Sequence, residues 1–249
     1  NYATLSVGSN GDVTVAATSG SGSGSITLNS PAASNGTLLS DSGILVLGGG
    51  SNILVSDNGF DGLVIKMNIR GLWINDIASP SRLSTDLVLT AGAGETWDDV
   101  VAKAVEFDAG GIENLSLIPG TVGGAVYQNI GAYGAELKDV IGSVKVYDTK
   151  TGDIVELPNR ECNFEYRSSV FKNNKDLIIL EAKLMLSKDQ TPNISYPDLT
   201  AKFKNQDPNI AEVRQAVIDI RQNKLPYPDE VNNAGSFFKN PTIKISNFE

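Results

Sequence analysis

Near the end of the chain, residues 233–241 read NAGSFFKNP. A turn of small residues presents Ser236, and Phe237, Phe238, Lys239 and Asn240 follow it. The pattern describes a sheltered hydroxyl with polar neighbours. The chain has no histidine, so no imidazole is present to take a proton from Ser236, and a Ser-His-Asp hydrolase is excluded. Cys162 is the single cysteine. With neither histidines nor a second thiol, a catalytic zinc site lacks its usual donors, and no metal site is expected. It also rules out an intramolecular disulfide and makes a reducing, cytoplasmic compartment the simplest expectation.

Two glycine-rich stretches carry the next chemical signal. In GGGSN, Gly48, Gly49 and Gly50 let a ligand approach the backbone, where consecutive N–H groups can cup a phosphate. Ser51 and Asn52 add side-chain donors. No GKS or GKT follows, and Asn52 stands at the third-glycine position of the dinucleotide fingerprint. By itself the stretch fits a tight turn as well as a phosphate site. In LIPGTVGGAVYQNIGAYG, Pro119, Gly120, Gly123, Gly124, Gly131 and Gly134 leave a backbone poor in side chains, into which Gln128, Asn129 and Tyr133 are set. Such a surface can press on a flat heteroaromatic ring while backbone N–H groups bond its edge; a glycine-rich loop packed on its neighbour is the alternative. Two such loops, each after a strand, favour a bound dinucleotide.

Arg167, in ECNFEYRSSVFK, has the geometry to clamp a carboxylate bidentately. On spacing alone, a surface arginine paired with an acid is the better reading. Tyr196 in ISYPDL could cap a ligand or fill core. Lys224 ends a helix, where the dipole favours a cation with or without a ligand.

These residues need a scaffold. Apolar ILVL before GGGSN, GLVIKM at 62–67 and LVLTAGAG at 87–94 read as strands. Trp97, Val100, Val101, Ala104 and Val105 form one face of a helix between Glu95 and Phe107. SVKVYDTKTGDIVEL reads as a hairpin around TKTGD. In the strand DLIILEAKLML, Ile178, Leu180, Ala182, Leu184 and Leu186 share a face. NIAEVRQAVIDIRQNKLP is a helix with Ile210, Val213, Ala216, Val217 and Ile220 as its stripe. Helices and strands mix without strict alternation, so the class is α+β. Residues 1–43 stand apart: Asp12 and Asp41 are their only charges, and SGSGSGS at 19–25 reads as linker. DVTVA and SITLN there are weak strand patterns, and an irregular segment is the preferred reading. The net charge of −9 opposes non-specific binding to nucleic acid or an anionic membrane. No signal peptide or membrane-spanning run is visible.

Taken in order, GGGSN, LIPGTVGG…QNIGAYG, ECNFEYRSSVFK, SYPDL, RQNKLP and NAGSFFKNP resemble the UDP-N-acetylenolpyruvoylglucosamine reductase family, also called UDP-N-acetylmuramate dehydrogenase, over about residues 44–249. The resemblance implies an FAD-binding flavoprotein fold of the vanillyl-alcohol-oxidase type. Residues 1–72 and 73–225 would be two FAD-binding subdomains, and 226–249 the start of a substrate domain. It implies a bacterial, cytoplasmic, FAD-dependent enzyme that uses NADPH to reduce the enolpyruvyl ether of a UDP-sugar for peptidoglycan synthesis. The FAD pyrophosphate is implied near Gly48, Gly49, Gly50, Ser51 and Asn52. The ring system is implied at Pro119, Gly120, Gly123, Gly124, Gln128, Asn129, Gly131 and Tyr133. Ser236 would be the general acid; giving a proton to a strongly basic centre requires no histidine. Arg167 would stabilise the substrate carboxylate as charge develops. Tyr196 and Lys224, with Asn240 nearby, would hold the diphosphate. Glu165 and Ser168 stand where the family has glycine and aspartate, and the family's glutamate partner of the arginine has no counterpart up to Glu249, so FAD binding with poor or no turnover is expected. The alternatives are a non-catalytic nucleotide-binding module and a flavin oxidoreductase of another substrate.

Overall fold

In the computed structural model, residues 2–7, 13–18, 44–60, 63–76, 86–226, 231 and 233–241 are described. Four strands come first: β1 (Tyr2–Val7), β2 (Val13–Thr18), β3 (Ile44–Leu47) and β4 (Leu63–Met67). They form one sheet in the order β2-β1-β4-β3. β3 and β1 both run parallel to β4, with Ile44 opposite Leu63 and Ala3 opposite Ile65, while β2 is antiparallel to β1. The irregular segment expected for residues 1–43 is therefore corrected at 2–7 and 13–18. The open edge of β4 offers unpaired N–H and C=O groups, and a strand pairing there needs no strong side-chain pattern. DVTVA falls largely within β2, whereas SITLN and SGSGSGS lie outside the described residues.

A second sheet follows. β5 (Leu72–Asp76) and β6 (Asp86–Gly92) precede a two-stranded hairpin of β7 (Gly131–Ala132) and β8 (Ala135–Glu136). β9 (Ile141–Asp148), β10 (Ile154–Pro158) and β11 (Leu177–Ser187) complete the five-stranded order β10-β9-β11-β6-β5, antiparallel at every pairing. The β9–β10 pair is the hairpin expected from its sequence. In β11, Ile178, Ala182, Leu184 and Leu186 are buried as the alternation requires. Leu180 is only partly buried and Ile179 replaces it, because the register with β9 shifts between Ile179 and Glu181.

Among the described residues, five α-helices pack on this frame: α1 (Trp97–Glu106), α2 (Val122–Gln128), α3 (Val170–Asn173), α4 (Pro197–Lys202) and α5 (Ile210–Lys224). α1 buries Trp97, Val100, Val101 and Ala104, and the Trp97 indole N–H donates to the Leu115 carbonyl at 2.9 Å. At the start of α5, Asn209 and Glu212 exchange side-chain and backbone hydrogen bonds of 3.0 and 2.9 Å. α5 is tied to α1 by a two-pronged pair: Arg214 Nη1 lies 2.8 Å from Asp98 Oδ1, and Arg214 Nη2 lies 2.9 Å from Asp98 Oδ2. The position of α2 corrects the reading of 117–134 as loop throughout. Gly123 and Gly124 cost its helix about 1 kcal/mol each. Burial of Val122, Ala125 and Val126 outweighs this at about 1.5–3 kcal/mol per large side chain. Among the described residues, no helix is long and apolar enough to cross a membrane.

Candidate active site

The two glycine bends touch each other backbone to backbone. A Cβ on Gly49 would lie 2.8 Å from Gly120 Cα, and one on Gly48 would lie 2.7 Å from Thr121 Oγ1. Ser51 Oγ donates to the Pro119 carbonyl at 3.2 Å. The bareness of Gly48 and Gly49 is thus set by this contact, and that of Gly123 by Ala93, whose Cβ would stand 3.1 Å from an added one. Gly50 is different: its φ is +74°, and nothing lies within 4 Å of where a Cβ would go. The N–H groups of Gly50, Ser51 and Asn52 have no hydrogen-bond partner among the described residues. At the base of the contact, Thr121 Oγ1 is buried without a partner among those residues. An unsatisfied hydroxyl and a run of open N–H groups beside a side-chain-free bend fit an anionic, diphosphate-bearing cofactor such as FAD.

Asn52 joins the bends to the C-terminal turn. Its amide donates to the Ala234 carbonyl at 2.6 Å and the Ser236 carbonyl at 3.4 Å, and its Oδ1 accepts from Gln128 Nε2 at 2.8 Å. Asn129 is fully buried, with φ +44°. Its amide donates to Glu136 Oε2 at 3.2 Å and the Glu165 carbonyl at 2.9 Å, and its Oδ1 accepts from Lys138 N–H at 2.9 Å. That side chain is committed within the protein.

Beyond the bends, Gly131, Tyr133, Arg167, Tyr196, Lys224 and Ser236 line a single open cleft of about 590 Å³. They arrive from β7 and its turn, the 165–168 turn, the start of α4, the end of α5 and the C-terminal turn. Arg167 is half-buried, and its Nη2 donates to the Gly131 carbonyl at 2.5 Å. It has no ion pair among the described residues, which corrects its reading as a surface arginine paired with an acid. Tyr133 and Tyr196 meet edge to face with centroids 5.2 Å apart. Lys224 Nζ lies 2.6 Å from Asp198 Oδ2, and this bond raises the lysine further above its ordinary range. Ser236 is exposed rather than sheltered. Phe237 and Phe238 meet edge to face with centroids 5.4 Å apart and face solvent, Phe238 at 88% exposure. Asn240 does not line the cleft.

Among the cleft residues that escaped the sequence reading, Glu136 and Arg221 carry charge next to the named ones, as does Asp198, the partner of Lys224. Glu136 belongs to β8 and reaches Lys138 Nζ at 2.7 Å. Arg221 stands one helical turn before Lys224, on the face that carries the apolar stripe, and that i, i+3 spacing was the available signal. Burial pulls its guanidinium down from the usual range, Tyr133 and Asp98 oppose the shift, and Arg221 Nε has no partner among the described residues. Burial pushes the Tyr133 hydroxyl up, against the pull of Arg221 and Lys224. The cleft therefore combines cations with a tyrosine held neutral, a setting for a substrate bearing phosphate and carboxylate groups. No cluster of metal-ligating side chains occurs among the described residues.

Residues 39–158 match the family described as FAD binding domain. The chain is 44% identical over 205 residues to the UDP-N-acetylenolpyruvoylglucosamine reductase of Ralstonia nicotianae, covering 80% of this chain and 59% of that protein. Against the Neisseria gonorrhoeae enzyme of the same name it is 44% identical over 206 residues, covering 80% and 58%. The crystal structure of UDP-N-acetylenolpyruvylglucosamine reductase from Thermus caldophilus superposes with a TM-score of 0.59 at 26% identity, covering 81% of this chain and 62% of that one. The chain thus spans about three fifths of the length of the curated relatives it matches. Over the stretch it shares with them, the chain is similar to the UDP-N-acetylenolpyruvoylglucosamine reductases, and residues 39–158 carry the likeness to an FAD binding domain.

Proposed function

We propose that the protein from which this chain comes is an FAD-dependent, NADPH-driven reductase of UDP-N-acetylglucosamine enolpyruvate, giving UDP-N-acetylmuramate for peptidoglycan in the cytoplasm. One observation carries the reading: Arg167, Tyr196, Lys224 and Ser236, from four separate segments, meet in one cleft beside Gly131 and Tyr133. The N–H groups of Gly50, Ser51 and Asn52 and the hydroxyl of Thr121 would hold the pyrophosphate, and the cleft around Gly131 and Tyr133 would admit the ring system. Bound FAD supplies the two-electron relay from NADPH to the vinyl carbon of the enolpyruvyl group. Arg167 presents its guanidinium to the substrate carboxylate and stabilises the charge that gathers there as the neighbouring carbon becomes carbanion-like. Ser236 Oγ gives its proton to that carbon, and water replaces the proton afterwards. Lys224 and Tyr196 bind the diphosphate, and Lys224 must share or leave Asp198 to do so.

The division at residue 72 belongs to the same proposal. Strands before it build the four-stranded sheet and strands from it onward build the five-stranded one, as two FAD-binding subdomains would, with 226–249 opening a third. Exposure of Ser236 leaves the proton donor loosely fixed, so turnover by this chain is expected to be slow. The test is gel filtration with FAD, then anaerobic reduction by NADPH. The protein fraction should carry the flavin's visible bands, and the bands bleached by NADPH should return slowly with the enolpyruvyl substrate but not with UDP-N-acetylglucosamine. A colourless fraction, or recovery with both sugars, contradicts the reading.

A further inference from the structure

We propose that Lys172 is a positioning residue for Arg167, fixing the guanidinium in the cleft through the arginine's own carbonyl. The inference rests on the reading of Arg167 as the carboxylate ligand. Arg167 sits at the apex of a turn in which Glu165 and Ser168 exchange both backbone hydrogen bonds, at 3.0 and 3.1 Å. Its φ is +52°, a left-handed conformation that a residue with a Cβ does not hold without support. Three contacts supply that support. Asn129 pins the Glu165 carbonyl at 2.9 Å, Lys172 Nζ donates to the Arg167 carbonyl at 2.8 Å, and Arg167 Nη2 closes on the Gly131 carbonyl at 2.5 Å.

Lys172 is an expensive choice for a purely structural brace. It folds back from α3 over the Tyr127 ring, 5.7 Å from the centroid, and Ser169 fixes that segment by donating to the Tyr127 carbonyl at 2.7 Å. No carboxylate pairs with it among the described residues. Burial, then the like charges of Lys239 and Arg167, all push its ammonium down from the usual range. Lys239 itself lies 5.5 Å from the Tyr166 centroid, and Arg167 lies 5.1 Å from the centroid of the same ring. Three cations are thus gathered around two tyrosines, none of them in an ion pair among the described residues, and the carboxylates that share the cleft, Glu136 and Asp198, are taken by Lys138 and Lys224. Such an arrangement costs stability in the empty protein and is relieved when an anion enters beside Arg167. Lys172 therefore both aims the guanidinium and adds positive field where the substrate carboxylate binds.

Calorimetric titration of the chain with UDP-N-acetylglucosamine enolpyruvate and with UDP-N-acetylglucosamine isolates the carboxylate's contribution as a ratio of affinities. Lys172→Met should lower that ratio about tenfold, the scale of one charge-assisted contact, while affinity for UDP-N-acetylglucosamine stays within about twofold. Lys172→Arg should restore most of the ratio, and in an Arg167→Gln background Lys172→Met should change nothing further. Equal loss of both ligands, an unchanged ratio, or additive effects in the double variant overturns the inference. If Arg167→Gln alone leaves the ratio intact, the reading of Arg167 fails instead. A crystal structure of Lys172→Met then decides the inference without ligand: Arg167 leaves positive φ and the Gly131 carbonyl if Lys172 holds it, and keeps both if it does not. Should the Met variant fail to fold, Lys172→Leu, which likewise has neither donor nor charge, takes its place in both measurements.

Discussion

Adding one methyl group at Gly49 or at Gly50 should produce two opposite patterns of damage. At Gly49 the new carbon would stand 2.8 Å from Gly120 Cα, a backbone atom that cannot swing aside. Relief requires the two bends to part, and overpacking of this kind costs about 1–3 kcal/mol. For a chain of this size each kcal/mol lowers Tm by about 2–4 °C, so a mid-range cost of about 2 kcal/mol gives roughly 4–8 °C. At Gly50 the methyl meets nothing within 4 Å, but φ is +74°. Left-handed strain of about 1–2 kcal/mol is offset by about 0.4–1 kcal/mol of entropy lost from the unfolded chain. The net is about 1 kcal/mol, or roughly 2–4 °C. The order reverses for FAD. Gly50→Ala puts its methyl into the open space beside the bend, where a pyrophosphate held by the N–H groups of Gly50, Ser51 and Asn52 would have to lie, and should abolish saturable binding. Gly49→Ala should weaken binding through displacement of the bends while leaving it saturable. Thermal unfolding and flavin fluorescence quenching, run on both variants, read the two columns. If Gly49→Ala is the milder variant in Tm, the backbone contact is not as described. If Gly50→Ala binds FAD like the parent, the open N–H groups are not the cradle.

Other outcomes follow from single groups. Thr121→Val keeps the shape but removes the buried, unpartnered hydroxyl, so the FAD-free protein should gain about 1 kcal/mol while FAD-induced stabilisation falls; a loss of stability without FAD would show that the hydroxyl already has a partner. Burial alone would raise Asp98, but hydrogen bonds from Arg214 and the Leu117 N–H hold its carboxyl below the usual range. A depressed carboxylate stabilises the fold above its unfolded pKa and loses that contribution as pH falls through the folded value. Asp98→Asn should therefore cost about 1–3 kcal/mol near neutrality, and the gap to the parent should close below about pH 4; a gap that persists in acid denaturation at low pH contradicts the pairing. Burial pushes the Cys162 thiol up to about 11, so iodoacetamide should label the native chain at pH 8 far more slowly than the urea-unfolded chain, and equal rates would place the thiol at the surface.

The scaffold was legible wherever one periodicity ran long enough to be decided by burial. α1, α5, the β9–β10 hairpin and most of β11 were visible as stripes or alternations. Leu180 was misjudged because a bulge is a property of two strands, and the sequence of one does not reveal the slip. α2 was hidden because its two glycines spoke for a loop, and only burial against Ala93 and β11 makes the helix worth forming. β1 was missed, and β2 was visible only as the weak alternation DVTVA, because the edge they build on is backbone and has no side-chain signature. The cleft residues were found as separate signals, but their meeting was implied only by the resemblance. Arg221 went unnamed because a cation near the end of a helix already has a sufficient explanation in the dipole. Ser236 lines the cleft with the other named residues yet was read as sheltered, since adjacent phenylalanines in a sequence do not say whether they turn inward.

Under the proposed function, bare N–H groups at the first bend, not cations, hold the anionic part of the cofactor. A crystal of this chain grown with FAD tests it most directly. The account predicts pyrophosphate oxygens within hydrogen-bond distance of the N–H groups of Gly50, Ser51 and Asn52, and a flavin ring at the Gly131–Tyr133 side of the cleft. Pyrophosphate bound by lysine or arginine side chains elsewhere, with the 48–52 bend left facing water, would contradict it.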